Sequence, residues 1–414
     1  MAHAQTDVLA DRHVRLRQAL VDRDLDAIVV THLPNVFYLT NFVGSSAIAV
    51  MTRNALLFIT DFRYVTAVET SWASPSGCPN ASLVVVRTSY DETLVEVLRS
   101  TGSRRIGFEA AHVPFAQYRR WAAGLDADST AAGGATTKLA EEVGKPTAGE
   151  RSRVTLVPTE RLVEAQRVRK DAHEVGRLRH GAEMLTGAFG RILAEVQPGR
   201  TERQVAAHID WIIKDVGFER SAFDTIVASG PNGALPHARP EPRRLEPGDL
   251  VVLDFGGVYD GYCVDLTRTV SLGDPNAEAR RIYAAVVEAH RAGVAATRPG
   301  ATAREIDRAA RGTLEGLGLG EAFGHGTGHG LGIEVHEEPW LRKTGRPEAD
   351  ADRAAPVTPA AAAGEVVIEP GMVFTIEPGA YVPGWGGVRL EDDVLVTDTG
   401  HEVLTRVPRD LAIV

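Results

Sequence analysis

The sequence predicts a mixed α/β chain in two domains, and three observations carry that expectation. Short apolar strands alternate with amphipathic helices over roughly the first 160 residues. Helical periodicity takes over from Glu164 to Glu195. Two apolar strands then flank Asp260-Gly261, a strong hairpin signal. At 414 residues the chain can hold two domains of ordinary size, and 44% apolar residues can fill their cores.

The elements follow in order. Leu9 to about Arg23 reads as an amphipathic helix with its charges outward. Ala27–Val30 is an apolar run that Pro34-Asn35 is expected to break. Ala47–Met51 and Ala55–Ile59 are strands around the turn-like Arg53-Asn54. Leu83–Val86 is a further strand, Thr93–Leu98 an amphipathic helix and Ile106–Glu109 a strand. The pattern weakens over Ala131–Thr137 and Gly144–Ser152, and Val154–Val157 is the last strand of a domain spanning 1–160.

The second domain is expected over 161–414. Pro198-Gly199 stops its first helical stretch, and Thr201-Glu202-Arg203-Gln204 reads as a capping box opening the next helix. The hairpin strands are Val251–Phe255 and Tyr262–Val270, followed by helices near Ala277–Ala296 and Ala303–Gly316. Val373–Glu377 and Val388–Val396 are strands. Leu341–Gly364 is Ala/Pro/Asp-rich without apolar periodicity and reads as a flexible surface insertion.

Composition excludes several classes. A net charge of -10 argues against a nucleic-acid partner, which needs a basic face. Two cysteines, Cys78 and Cys263, suggest a reducing cytosol, so a cytoplasmic location is expected. The charged N-terminus lacks the apolar core of a signal peptide. No uninterrupted apolar stretch is long enough to span a bilayer, so no membrane partner is expected.

Five residues suggest a metal site: Asp254 in VVLDFGG, Asp265 in YCVDLTRT, His329 in GTGHGLGIEVHEEP, Glu377 in FTIEPG and Glu391 in VRLEDDVLV. Four carboxylates and one imidazole can hold two divalent cations, which is hydrolase chemistry. Pairing the hairpin strands puts Asp254 and Asp265 nearly opposite each other, and two close carboxylates repel unless a cation sits between them. Edge-strand aspartates facing water are the ordinary alternative. Asp254, however, lies between Val251-Val252-Leu253 and Phe255-Gly256-Gly257, and an unpaired charge buried there is costly. Glu-Pro-Gly occurs at Glu246, Glu369 and Glu377, and only Glu377 ends a strand.

Gly324–Pro339 carries His325, His329 and His336 among alternating glycines. That glycine density excludes a zinc-binding helix, and His336-Glu337-Glu338-Pro339 is not an HExxH motif. Nor does a strand–loop–helix frame support a nucleotide loop. An extended strand that lets substrate backbone approach closely is the physical reading. His237, in GPNGALPHARP, lies on a loop, where a lone histidine is ordinarily a surface residue. Arg389 reads either as a solvated strand residue or as a partner orienting carboxylates.

These motifs resemble the aminopeptidase P and prolidase family of two-metal peptidases, over roughly Arg161–Val414. LPNVFYLTNF and ITDFRY look like that family's N-terminal creatinase/prolidase-type domain. The resemblance implies a C-terminal pita-bread domain and a homodimer. It implies that Asp254, Asp265, His329, Glu377 and Glu391 are the metal ligands, with Asp265 and Glu391 bridging. His237 and His336 match histidines that bind substrate and assist proton transfer, His325 matches a further active-site histidine, and Arg389 joins the substrate-binding set.

The implied reaction is hydrolysis of the bond before proline in Xaa-Pro peptides, as a dipeptidase or aminopeptidase. A metal-bridging hydroxide attacks, and Glu377 acts as general base. The ligand set suits Mn2+, with Co2+ or Zn2+ as alternatives. GHGTGHGLGIEVHEEP is closer to the dipeptidase-like bacterial branch. A non-catalytic binding module and a metal-independent creatinase-like enzyme are the competing classes, and the complete ligand set argues against both. Methionine aminopeptidase shares the ligands but lacks the large N-terminal domain and the His325/His329 pair.

Overall fold

A computed structural model describes residues 3–126, 154–343 and 365–414. The chain divides into two compact units, Met1–Arg167 and Val168–Val414. Ala131–Thr137, Gly144–Ser152 and most of the expected insertion lie outside the described residues. Leu341 does not. It is fully buried at the end of a strand, so that end of the expected insertion is core.

The first unit is built on six strands: β1 (Ala27–Val30), β2 (Ile48–Thr52), β3 (Leu56–Thr60), β4 (Ala81–Val85), β5 (Arg105–Glu109) and β6 (Thr155–Thr159). Their order is β4-β3-β2-β1-β5-β6, and only β2 runs antiparallel to its neighbours. β1 and β3 are buried at every position, which explains their unbroken apolar runs. Pro34 does more than end a strand: it sits in the first turn of a helix, Leu33–Thr40, where its missing N–H costs nothing. The short helix Glu164–Arg167 belongs to this unit rather than to the second. The reason is Asn35, whose amide donates to Glu164 at 2.7 Å and accepts from Arg167 at 2.6 Å.

The second unit opens with helices Ala172–Leu193 and Glu202–Asp215, each begun by a capping box. The Thr201–Gln204 box stands where the sequence puts it. Four strands follow: β7 (Arg220–Ser221), β8 (Ile226–Ser229), β9 (Leu250–Tyr259) and β10 (Tyr262–Ser271). β9 pairs with β10, β7 and β8, all antiparallel. Asp260 and Gly261 turn the hairpin with φ of 47° and 80°, the left-handed backbone a two-residue primed turn needs.

A second sheet has the order β12-β11-β13-β16-β17, from β11 (Gly328–Gly330), β12 (Glu337–Leu341), β13 (Val373–Ile376), β16 (Asp392–Val396) and β17 (His401–Val403). β14 (Gly379–Val382) and β15 (Gly386–Arg389) form a separate ribbon. Helix Ala277–Ala296 packs Ile282, Val286 and Ala289 against Leu250, Ala380, Val388 and Leu390. Helix Ala303–Gly316 packs Ile306 against Leu341, Phe374 and Val394. The two sheets are thereby fixed against helices, and their facing strand ends carry the chemistry described next.

Candidate metal centre

Asp254 and Asp265 are not directly opposite. Asp254 pairs with Thr267, and Asp265 pairs with Gly256. Side chains alternate along a strand, so the two aspartates share one face and are offset by two positions. Both are buried.

The expected strand Val388–Val396 is two strands. β15 pairs with β14 and β16 with β13, and Leu390-Glu391 is the break between them. At the break the Glu391 N–H donates to the Thr267 carbonyl at 3.1 Å, and the Thr267 hydroxyl donates to Glu391 Oε2 at 2.6 Å. Thr267 thus brings Glu391 onto the face that carries both aspartates.

His329 and Glu377 arrive from β11 and the end of β13. The Glu377 N–H donates to Thr327 O at 2.8 Å, and the Thr375 hydroxyl accepts the His329 N–H at 3.1 Å. The glycines around His329 serve this packing rather than an approaching substrate. A Cβ on Gly328 would lie 1.9 Å from Thr375 O, and one on Gly330 would lie 2.2 Å from Glu338 O.

Asp265, His329 and Glu391 each offer one ligand atom, and those atoms all lie within 4.8 Å of one another. His329 Nε2 is 3.7 Å from Glu377 Oε1. Its Nδ1 faces the Gly330 carbonyl at 3.1 Å, and a carbonyl only accepts. The proton therefore sits on Nδ1 and leaves the Nε2 lone pair toward the carboxylates. Burial, then the neighbouring His336, hold this imidazole neutral, down to about 3.

The carboxyls are pushed the other way. Burial, then the charge of Asp254, hold Asp265 well above the usual range. Burial, then Asp265 and Glu377, do the same to Glu391. Burial pushes Glu377 up to about 8, with Arg389 opposing and Asp254 adding. Asp254 Oδ1 and Asp265 Oδ1 are buried with no hydrogen-bond partner. Orphaned carboxylate oxygens pressed together beside an available imidazole lone pair fit divalent cations. The donor set has no thiolate.

Arg389 is buried, which rules out the solvated reading. Its Nη2 donates to Asp254 Oδ2, its Nη1 to Tyr381 Oη at 2.9 Å and Pro236 O at 3.0 Å, and its Nε to Thr267 Oγ1 at 3.3 Å. Every nitrogen is therefore engaged within the protein, and Arg389 orients Asp254. His325 Nδ1 faces the Gly326 carbonyl at 2.7 Å, so its Nε2 accepts from Tyr381 Oη at 2.9 Å. Burial, then Arg389, hold His325 down to about 3.

Tyr381, which sequence reasoning missed, links His325 to Arg389. Its signal was its place four residues after Glu377 in IEPGAY. The His336 ring meets the His329 ring edge-on at 4.3 Å and stacks on Trp340 at 6.0 Å. His237 is exposed on its loop and is tied to the centre through the Pro236 carbonyl that Arg389 holds.

Family models match both parts of the chain: metallopeptidase family M24 over residues 176–398 and the creatinase/prolidase N-terminal domain over residues 12–141. The Xaa-Pro dipeptidase of Pyrococcus furiosus is 32% identical over 97% of this chain and 100% of that relative. The chain belongs to metallopeptidase family M24.

Among solved structures, the Xaa-Pro dipeptidase from Bacillus anthracis superposes with a TM-score of 0.83 at 32% identity, over 98% of this chain and 100% of that one. The X-Pro aminopeptidase from Thermotoga maritima gives a TM-score of 0.79 at 28% identity, over 97% of this chain and 99% of that one. This M24 member therefore has a creatinase-type N-terminal domain followed by a pita-bread domain, and it is a peptidase that works with divalent metal ions. Among the described residues, no helix is long and apolar enough to cross a membrane.

Proposed function

We propose that the protein hydrolyses the peptide bond before proline in Xaa-Pro peptides, with dipeptides as preferred substrates. The observation that carries this reading is the convergence of Asp265, His329 and Glu391 within 4.8 Å, beside Glu377 and Asp254. The matched relatives named for Xaa-Pro cleavage support the substrate class.

Asp254, Asp265, His329, Glu377 and Glu391 would hold two divalent ions, with Asp265 and Glu391 between them. Bound there, the ions supply Lewis acidity toward the peptide carbonyl and activate water. Mn2+ suits this oxygen-rich set, with Co2+ and Zn2+ as alternatives.

The remaining work falls to this chain's own groups. Glu377 takes a proton from water and passes it to the departing proline nitrogen. His336, set beside His329, and His237 face the substrate carbonyl and assist that transfer. The ring of Trp340, stacked on His336, offers the proline ring an apolar wall. Arg389 keeps one Asp254 oxygen occupied, so the other stays aimed at the cations. We read the protein as a cytoplasmic homodimer with no nucleic-acid or membrane partner.

An Xaa-Pro amide has no N–H, so a site shaped for it needs no acceptor there. A secondary amide bound in that site would bury an unpaired donor, at about 1–3 kcal/mol. The test is kcat/KM for Ala-Pro against Ala-Ala at one Mn2+ concentration, with Ala-Pro-Ala as the length probe. Ala-Pro should win by at least about tenfold, and equal values would overturn proline specificity. A faster Ala-Pro-Ala would make the protein an aminopeptidase.

A further inference from the structure

Glu202 is a buried carboxylate outside the metal centre. It is the first residue of helix Glu202–Asp215 and is fully buried. Its Oε1 accepts the Ser229 N–H at 2.7 Å and the Ser229 hydroxyl at 2.6 Å. Its Oε2 accepts the Glu241 N–H at 2.9 Å, and the Asn232 amide donates to both oxygens at 3.1 Å. The Arg243 guanidinium lies close enough to interact with this carboxylate.

These partners are the two ends of one loop. Ser229 ends β8, Asn232 lies in the turn that follows, and Glu241 lies beyond the Pro-rich stretch GPNGALPHARP. His237 stands between them. Its ring is exposed, so packing does not fix it and it takes its position from the loop backbone. Prolines 231, 236 and 240 lack an N–H, which leaves the segment few bonds of its own. It keeps two turn bonds, Leu235 N–H to Asn232 O at 3.1 Å and Ala238 N–H to Leu235 O at 3.2 Å. Arg243 also holds Ser229 Oγ at 2.6 Å, Arg203 holds Pro240 O at 3.2 Å and Arg389 holds Pro236 O, but among the described residues Glu202 is the one group that binds both ends of the loop at once.

We propose that Glu202 is a positioning residue for His237: its carboxylate closes the 229–241 loop and so sets where the imidazole stands over the substrate. This rests on the reading of His237 as a substrate-facing histidine. A neutral amide at 202 would accept through one oxygen and turn its NH2 toward donors, which loosens at least one end of the loop. A catalytic group displaced by about 1 Å loses up to about a hundredfold in rate.

The experiment uses the full chain loaded with Mn2+, and compares Glu202→Gln, His237→Ala and the double variant on Ala-Pro. Metal content is measured beside kcat and KM. Glu202→Gln should lose about tenfold to a hundredfold in kcat/KM with metal content unchanged. The double variant should be no slower than His237→Ala alone. Independent losses that multiply in the double variant would overturn the proposal, as would wild-type kinetics for Glu202→Gln. Should Glu202→Gln fail to fold, Asn232→Ala removes the donor that spans both oxygens, and the same comparison with His237→Ala decides. A His237→Ala variant at full rate would overturn the role of His237 and the proposal together, while leaving the metal content and the proline preference as they stand.

Discussion

Gly328→Ala should damage the centre without touching a ligand. The new Cβ would lie 1.9 Å from the Thr375 carbonyl oxygen and 2.7 Å from its carbon. Backbone on β13 cannot rotate away, so reaching even 3.0 Å requires β11 and β13 to part by about 1.1 Å. The neighbour of Gly328 is His329, and Glu377 lies two residues past Thr375, so the parting moves two of the proposed ligands. Overpacking of this kind costs about 1–3 kcal/mol, which lowers Tm by about 2–12 °C for a unit of this size. A displacement near 1 Å also costs about a hundredfold in kcat/KM. Gly324→Ala is the control, because nothing lies within 4 Å of its Cβ position. Thermal melts and Ala-Pro kinetics on both variants make the comparison. Equal stability and activity for Gly328→Ala and Gly324→Ala would refute the packing argument.

Two further outcomes are expected. Asp254→Asn should lose metal and activity together, because an amide cannot offset a dication, whereas His336→Ala should keep its metal and lose turnover; equal metal loss by elemental analysis would dissolve that division of labour. His13 is buried, its Nε2–H donates to Leu39 O at 2.7 Å, and burial lowers it from 6.5 to about 4. The folded state keeps it neutral while the unfolded chain protonates below about 6.5, so its contribution is complete above that pH and is lost as pH falls toward 4. The loss approaches about 3 kcal/mol, and His13→Gln, which keeps a donor but cannot titrate, should flatten urea-midpoint stability between pH 7 and 5; an unchanged slope would contradict it.

The parts of the fold legible in the sequence were those set by local rules. β9 and β10 announced themselves through Asp260-Gly261, and the helix at Glu202 through its capping box, because turn and cap chemistry depends on neighbours in sequence. The break at Leu390-Glu391 was not legible. Val388–Val396 is apolar enough for one strand, and only pairing with two different partners, β14 and β13, divides it. Pro34 misled for a related reason, since proline suits the first turn of a helix as well as the end of a strand. The glycines near His329 were legible as an extended segment, but which neighbour they admit is a tertiary fact. Arg389 was legible as a partner for carboxylates, whereas Tyr381 and Glu202 act through partners between 8 and 56 residues away.

The most direct test of the account is metal stoichiometry measured with turnover on one preparation. Protein stripped by chelation should hold no metal and leave Ala-Pro uncut. Added Mn2+ should restore both, with two ions per chain at full activity. Full turnover by chelated protein with no detectable metal would contradict the assignment of Asp254, Asp265, His329, Glu377 and Glu391 as the centre of the chemistry.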